Sequence, residues 1–162
     1  GGYGLMRLSI LLPSLFMFIA MTGVLATATH CIRQTDLKAL IAMSSVSHMN
    51  LVISAALIQS QWSYSGAMLM MIAHGLTSSA LFCLANTTYE RTNSRTMVLL
   101  RGVMVFFPLA ATFWLIILLY NMALPPSMNF LAELFILLSM FNWSTVALLL
   151  TISNLILTTT YT

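Results

Sequence analysis

Apolar runs of about 20 residues follow one another along almost the whole chain, and no other feature constrains its fold as strongly. Each is long enough to cross a hydrocarbon core roughly 30 Å thick, and together they leave little room for a soluble domain. Lipid offers the backbone no hydrogen-bond partners, so each run must close its own bonds as a helix. The alternation of apolar and polar residues that marks a barrel strand is absent. Composition agrees: 60% of the 162 residues are hydrophobic and 6% are charged, against about 25% charged in soluble domains. The expected fold class is all-α, a polytopic transmembrane helix bundle forming a single transmembrane region over residues 1–162.

The runs divide into about five spans plus the end of another. Residues 1 to about 10 read as a helix tail, 13 to about 30 as a span, and "RQTDLK" (33–38) as a polar link. Residues 39 to about 58 form a second span and "QSQWSYS" (59–65) a short uncharged loop with an interfacial Trp and Tyr. A third span covers 66 to about 85, followed by the polar run "NTTYERTNSR" (86–95). A fourth apolar run, 103–122, carries Pro108 near its start. "ALPPSM" (123–128) then breaks the helix, because proline lacks the N–H and clashes with the preceding turn. A short helix carrying Glu133 follows, and a last run extends from Trp143 and Ser144 to about Leu157. The chain opens without an initiator Met and reads as a fragment of a longer protein.

Several functions are disfavoured. Six basic residues against three acidic ones give +3 through scarcity of charge and no basic face for nucleic acid. Cys31 and Cys83 have no CxxC and no zinc or iron–sulfur spacing; both read as buried packing residues, and no metal site is expected. There is no phosphate-binding glycine loop. The links at 33–38 and 86–101 are separated by two spans and so emerge on one face with Arg33, Lys38, Arg91, Arg95 and Arg101, which the positive-inside rule makes the cytoplasmic or matrix side.

The polar residues inside the spans carry the information about chemistry. A charge at the bilayer centre costs from about 2.5 kcal/mol upward, so Glu133, the only acid within a span, is expected to face a protein interior or water. It sits seven residues past Pro126, about 10 Å along its helix. His48 and His74 fall in the middle thirds of their helices. Ser44 and His48 are an i, i+4 pair with Ser47 beside them, and His74, Thr77 and Ser78 follow i, i+3, i+4, so each helix bears one narrow polar stripe. Facing stripes could relay protons, since His titrates near neutrality, or could simply bond across helices. Pro125 and Pro126 could break a helix inside the membrane around a wet cavity or form a plain turn. Asp36 and Lys38 read as a loop ion pair or a helix cap.

The motifs "RQTDLKALIAMSSVSHMNLVISA", "MIAHGLTSSALFCLANTTYERTNSR" and "ALPPSMNFLAELF" resemble the antiporter-like, proton-translocating subunit 4 family of respiratory complex I, the NADH:ubiquinone oxidoreductase, in its mitochondrial animal form. The resemblance implies an antiporter-like fold with a broken helix, a bundle of fourteen helices with two inverted repeats, of which this chain matches the eighth helix's end to the thirteenth. It implies a proton pathway through Glu133 as exit-side site, His74 and His48 on a central axis, and Lys38 near the foot of the tenth helix, with Arg95 a matrix-side structural residue. It further implies residence in the mitochondrial inner membrane with the basic links on the matrix side, and other membrane subunits of the complex and the lipid bilayer as partners. No cofactor is expected in this chain; NADH, FMN, iron–sulfur clusters and ubiquinone belong to other subunits. The link between Arg7 and Cys31 is shorter than the family's. Two other classes would account for the residues: a subunit of a multi-subunit cation/proton antiporter, and a structural membrane scaffold.

Overall fold

A computed structural model describes residues 2–7 and 13–162, and among them every element is a helix. In chain order these are α1 (Gly2–Arg7), α2 (Pro13–Ile32), α3 (Leu37–Ile58), α4 (Gln61–Thr92), α5 (Met97–Leu100), α6 (Val103–Phe106), α7 (Pro108–Asn121), α8 (Met128–Trp143) and α9 (Thr145–Tyr161). The all-α transmembrane class is therefore met. Of the link between Arg7 and Cys31, expected to be shorter than the family's, residues 8–12 lie outside the described residues and the rest falls within α2.

Helix ends depart from the sequence reading where local capping wins over polarity. The loop expected at 59–65 shrinks to Gln59 and Ser60. Gln59 closes α3 in the left-handed region (φ 58°), and Ser60 opens α4 through a capping box with Ser63. At the far end α4 continues through most of the polar run to Thr92 and stops at Asn93 (φ 52°), whose N–H bonds Tyr89 O at 2.8 Å. At 32 residues the helix is about 48 Å long, far more than a bilayer core needs. Its polar last turns thus project beyond the hydrocarbon, where charge and amide groups are solvated. Cys31 is buried as expected, but Cys83 is exposed on α4.

The two basic links meet. Leu37 N donates to Arg95 O (3.1 Å) and Met97 N to Thr35 O (3.0 Å), an isolated antiparallel bridge between Asp36 and Thr96. Both links therefore lie on one face of the bundle. Asp36 stands at the N-cap position of α3 without a side-chain capping bond.

The double proline proves to be a break within one crossing. Partners along α4 descend steadily as α7 and α8 ascend. The Arg91 guanidinium sits 4.4 Å over the Phe107 ring, Leu81 packs on Trp114, Thr77 shares a groove with Tyr120, Gly66 abuts Ala132, and Trp62 lies 5.4 Å from Phe135. Helices α7 and α8 thus run end to end, antiparallel to α4. Their 14 and 16 residues give about 21 and 24 Å, so neither crosses the membrane alone.

Two apolar clusters hold the bundle. One joins Met21 and Val24 of α2, Leu51 and Val52 of α3, Met70 of α4 and Ile136 and Met140 of α8; the other joins Ile41, Leu81, Ala85 and Trp114. In lipid, apolar burial does not itself drive helices together, so close approach through small residues matters more. Gly66 supplies it for α4 and α8, since a Cβ there would lie 3.0 Å from Phe135 Cβ and 3.2 Å from Ala132 O. Between the two clusters, the buried residues are Ser44, Ser47 and His48 on α3 and Ala73 and His74 on α4. A polar layer interrupts the apolar core at mid-helix.

Candidate functional site

Glu133, His48 and His74 converge in that layer. Glu133 is 8% exposed, and its Oε1 lies 3.9 Å from His48 Nδ1; the His48 and His74 rings are 5.0 Å apart between centroids, tilted by 38°. Three helices deliver them. His48 lies eleven residues into α3 and His74 thirteen into α4, about 16 and 20 Å from those helix starts. Glu133 enters on the buried face of α8 that also carries Asn129, Ala132, Ile136, Ser139 and Met140, the 3–4 spacing of one helical side. Their convergence needs the break: α8 begins at Ser127, whose side chain accepts from Phe130 N at 3.3 Å, and this sets Glu133 one turn and a half into a half-length helix.

Glu133 and His48 stand within ion-pair distance of one another but are not directly hydrogen-bonded. At 3.9 Å the carboxylate and imidazole are beyond direct hydrogen-bond range, a separation that one water bridges. Nε2 of His48 and Nδ1 of His74 are buried without a partner among the described residues. Leaving such groups unpaired costs about 1–3 kcal/mol each. Among the described residues no group of His, Cys, Asp and Glu has metal-binding geometry.

Other expected residues separate from this cluster. Lys38 stands at the foot of α3 with Nζ 4.9 Å from the Tyr89 ring centroid, ten residues and about 15 Å below His48. Arg95 packs against the same ring at 4.9 Å, and no Asp36–Lys38 ion pair forms among the described residues. The hydroxyls are mostly turned to their own backbone: Ser44 and Ser47 donate to Ile41 O and Ser44 O (2.8 Å each), and Thr77 to His74 O at 3.2 Å. Thr77 still lines a groove of about 400 Å³ at the break with Tyr120, Ser127 and Asn129; Ser78 does not.

Sequence reasoning missed Asn129, Asn154 and Tyr161. Asn129 is 3% exposed and Asn154 2%, each with no donor to Oδ1 among the described residues, and the phenol of Tyr161 comes toward Ser47. The i, i+4 argument applied to the histidine helices would have found Asn129 from Glu133.

These features define a membrane-embedded helix bundle of antiporter-like architecture, with an intramembrane carboxylate just beyond a broken span and two histidines facing it. The chain belongs to the family described as NADH:quinone oxidoreductase/Mrp antiporter, transmembrane, which matches residues 1–159. It is similar to NADH-ubiquinone oxidoreductase chain 4 of Struthio camelus, 54% identical over all of this chain and 37% of that one, and of Gadus morhua, 55% identical over 99% and 36%. Thus it spans little more than a third of the length of these relatives. Among solved structures, respiratory complex I from Thermus thermophilus with bound NADH contains a chain that superposes with a TM-score of 0.88 at 27% identity, over 93% of this chain and 32% of that one.

Proposed function

We propose that the chain is part of a proton-translocating membrane subunit of NADH:ubiquinone oxidoreductase, seated in the mitochondrial inner membrane among other membrane subunits of that complex. The observation that carries this reading is the Glu133–His48–His74 cluster, held 3.9 Å and 5.0 Å apart between two apolar clusters. Glu133 takes up and releases a proton as the arrangement around it changes, and the two histidines and bridging water connect it along α3 and α4. The face bearing Arg33, Lys38, Arg91, Arg95 and Arg101 is the matrix side. Electron transfer from NADH through flavin and iron–sulfur clusters to ubiquinone takes place on other subunits, so this chain contributes to the translocation half of the reaction. Lys38, stacked on Tyr89 at 4.9 Å, joins the pathway only across the intervening 15 Å or so of α3, by way of the level of Ser44 and Ser47. Relatives matched over 99–100% of this chain carry the oxidoreductase name, which favours this reading over a cation/proton antiporter subunit.

The test is Glu133→Gln in the full-length subunit within the assembled complex. Glutamine keeps the size and hydrogen bonding but cannot ionise. We expect the protons moved per NADH oxidised in reconstituted vesicles to fall, with assembly on native gels unchanged. Wild-type coupling and rate in that variant would refute the reading and leave a scaffold role.

A further inference from the structure

The helix break is clamped by a side chain that lies one helical turn before Glu133 on the same buried face. Asn129 Nδ2 donates to Tyr120 O at 3.0 Å, reaching from the first turn of α8 across Pro125 and Pro126 to a carbonyl at the end of α7. Tyr120 O can only accept, so the amide orientation is fixed and the opposite atom, Oδ1, is the acceptor left over. It is buried, and no donor reaches it among the described residues. The nearby hydroxyls are committed elsewhere: Ser127 Oγ donates to Leu124 O at 2.8 Å and Thr77 Oγ1 to His74 O at 3.2 Å. Glu133 lies four residues on, upon the same buried face, and i, i+4 side chains on a helix stand about 5–6 Å apart at Cβ.

We propose that Asn129 is a positioning residue that couples the protonation of Glu133 to the helix break. When Glu133 carries a proton, its O–H donates to Asn129 Oδ1. The amide, polarised from that side, then holds Tyr120 O more firmly through Nδ2, because successive hydrogen bonds strengthen one another. When the proton leaves toward His48, the donor is lost and the carboxylate stays on the histidine side, 3.9 Å from Nδ1. The charge of Glu133 is in this way read by a side chain that ties α8 to α7. Among the described residues, the titratable groups around Glu133 are His48 from α3, His74 from α4 beside His48, and Tyr161 from α9, close enough to feel the charge of Glu133. On α7, Tyr120 turns outward, 45% exposed.

This inference rests on Glu133 being a protonation site, so the experiment includes Glu133→Gln as a separate arm. The measurement is the pH profile of coupled turnover, with the proton-to-NADH ratio, of the full-length subunit in the reconstituted complex. Asn129→Leu removes the acceptor for the protonated carboxyl and should move the midpoint of the profile toward acid by about half to one pH unit, the worth of one neutral hydrogen bond. Asn129→Asp keeps shape and acceptor but loses the donor to Tyr120 O. Its coupling should fall at alkaline pH and recover on acidification, when the introduced carboxyl regains a proton to donate. A wild-type profile in both variants, alongside an impaired Glu133→Gln, overturns the role of Asn129 alone; an unimpaired Glu133→Gln overturns the reading beneath it. Failure of both Asn129 variants to assemble, with Glu133→Gln assembled, makes Asn129 a folding residue and equally overturns the coupling.

Discussion

Two glycines nine residues apart on α4 should answer the same substitution in opposite ways. At Gly66 an added Cβ meets Phe135 Cβ at 3.0 Å, Ile136 Cγ1 at 3.1 Å and Ala132 O at 3.2 Å; at Gly75 it meets nothing within 4 Å. Carbon atoms prefer about 3.5–4.0 Å, so Gly66→Ala requires α8 to yield by roughly half an ångström. The obstruction includes a backbone carbonyl and a Cβ, so a rotamer change cannot relieve it. Overpacking of this kind costs about 1–3 kcal/mol, while alanine returns up to about 1 kcal/mol of helix propensity. Gly66→Ala is thus destabilising by about 1 kcal/mol net, and Gly75→Ala is neutral or mildly stabilising. The displacement falls on the helix that carries Glu133, one residue beyond Ala132, so the 3.9 Å approach to His48 changes with it. The assay is graded heating of the solubilised complex, followed by native gels and residual NADH:ubiquinone activity. Gly66→Ala should lose assembly at lower temperature than wild type and Gly75→Ala should not. Equal behaviour of the two variants, or a more robust Gly66→Ala, would refute the reasoning that α4 and α8 are in limiting contact at Gly66.

Replacing Pro125 and Pro126 together with Ala restores the missing N–H groups and removes the ring clash, which in an interior position amounts to about 3 kcal/mol per proline. The helix should tend to close across residues 122–127, lowering the proton-to-NADH ratio while the complex still assembles; unchanged pumping would show the break to be dispensable. Cysteines introduced as Thr35→Cys and Ser94→Cys sit on either side of the Asp36–Thr96 bridge and should both react with an impermeant thiol reagent from the matrix side only. Labelling from opposite sides, or from the other side, would defeat the proposed orientation.

Class, polar links and the most expensive buried groups, Glu133 and the two histidines, are all legible in the order of residues alone. Runs of about 20 apolar residues have one solution in lipid, and a lone acid in such a run is conspicuous because its burial is expensive. Helical spacing also showed that Ser44 and His48 share a face, since that periodicity is a property of one helix. Which faces meet is a property of several helices and was not legible. That His48 stacks on His74 at 5.0 Å and approaches Glu133, whereas Lys38 packs instead on Tyr89, was decided by the tertiary structure. In a bundle surrounded by lipid, apolarity does not distinguish the inner from the outer surface, so hydrophobic pattern cannot choose the interface; small residues such as Gly66 and the backbone groups freed at a break do. The same ambiguity hid the nature of Pro125–Pro126, where a turn and an interrupted crossing have the same local sequence. The steady descent of partners along α4, from Arg91 opposite Phe107 to Trp62 opposite Phe135, makes it an interrupted crossing. Capping misled in the other direction: Ser60 and Ser63 look like loop residues, yet by bonding each other's backbone N–H groups they start a helix. Asn129 was overlooked for a related reason, because an amide costs less to bury than a carboxylate and stands out only once the carbonyl it must serve is known.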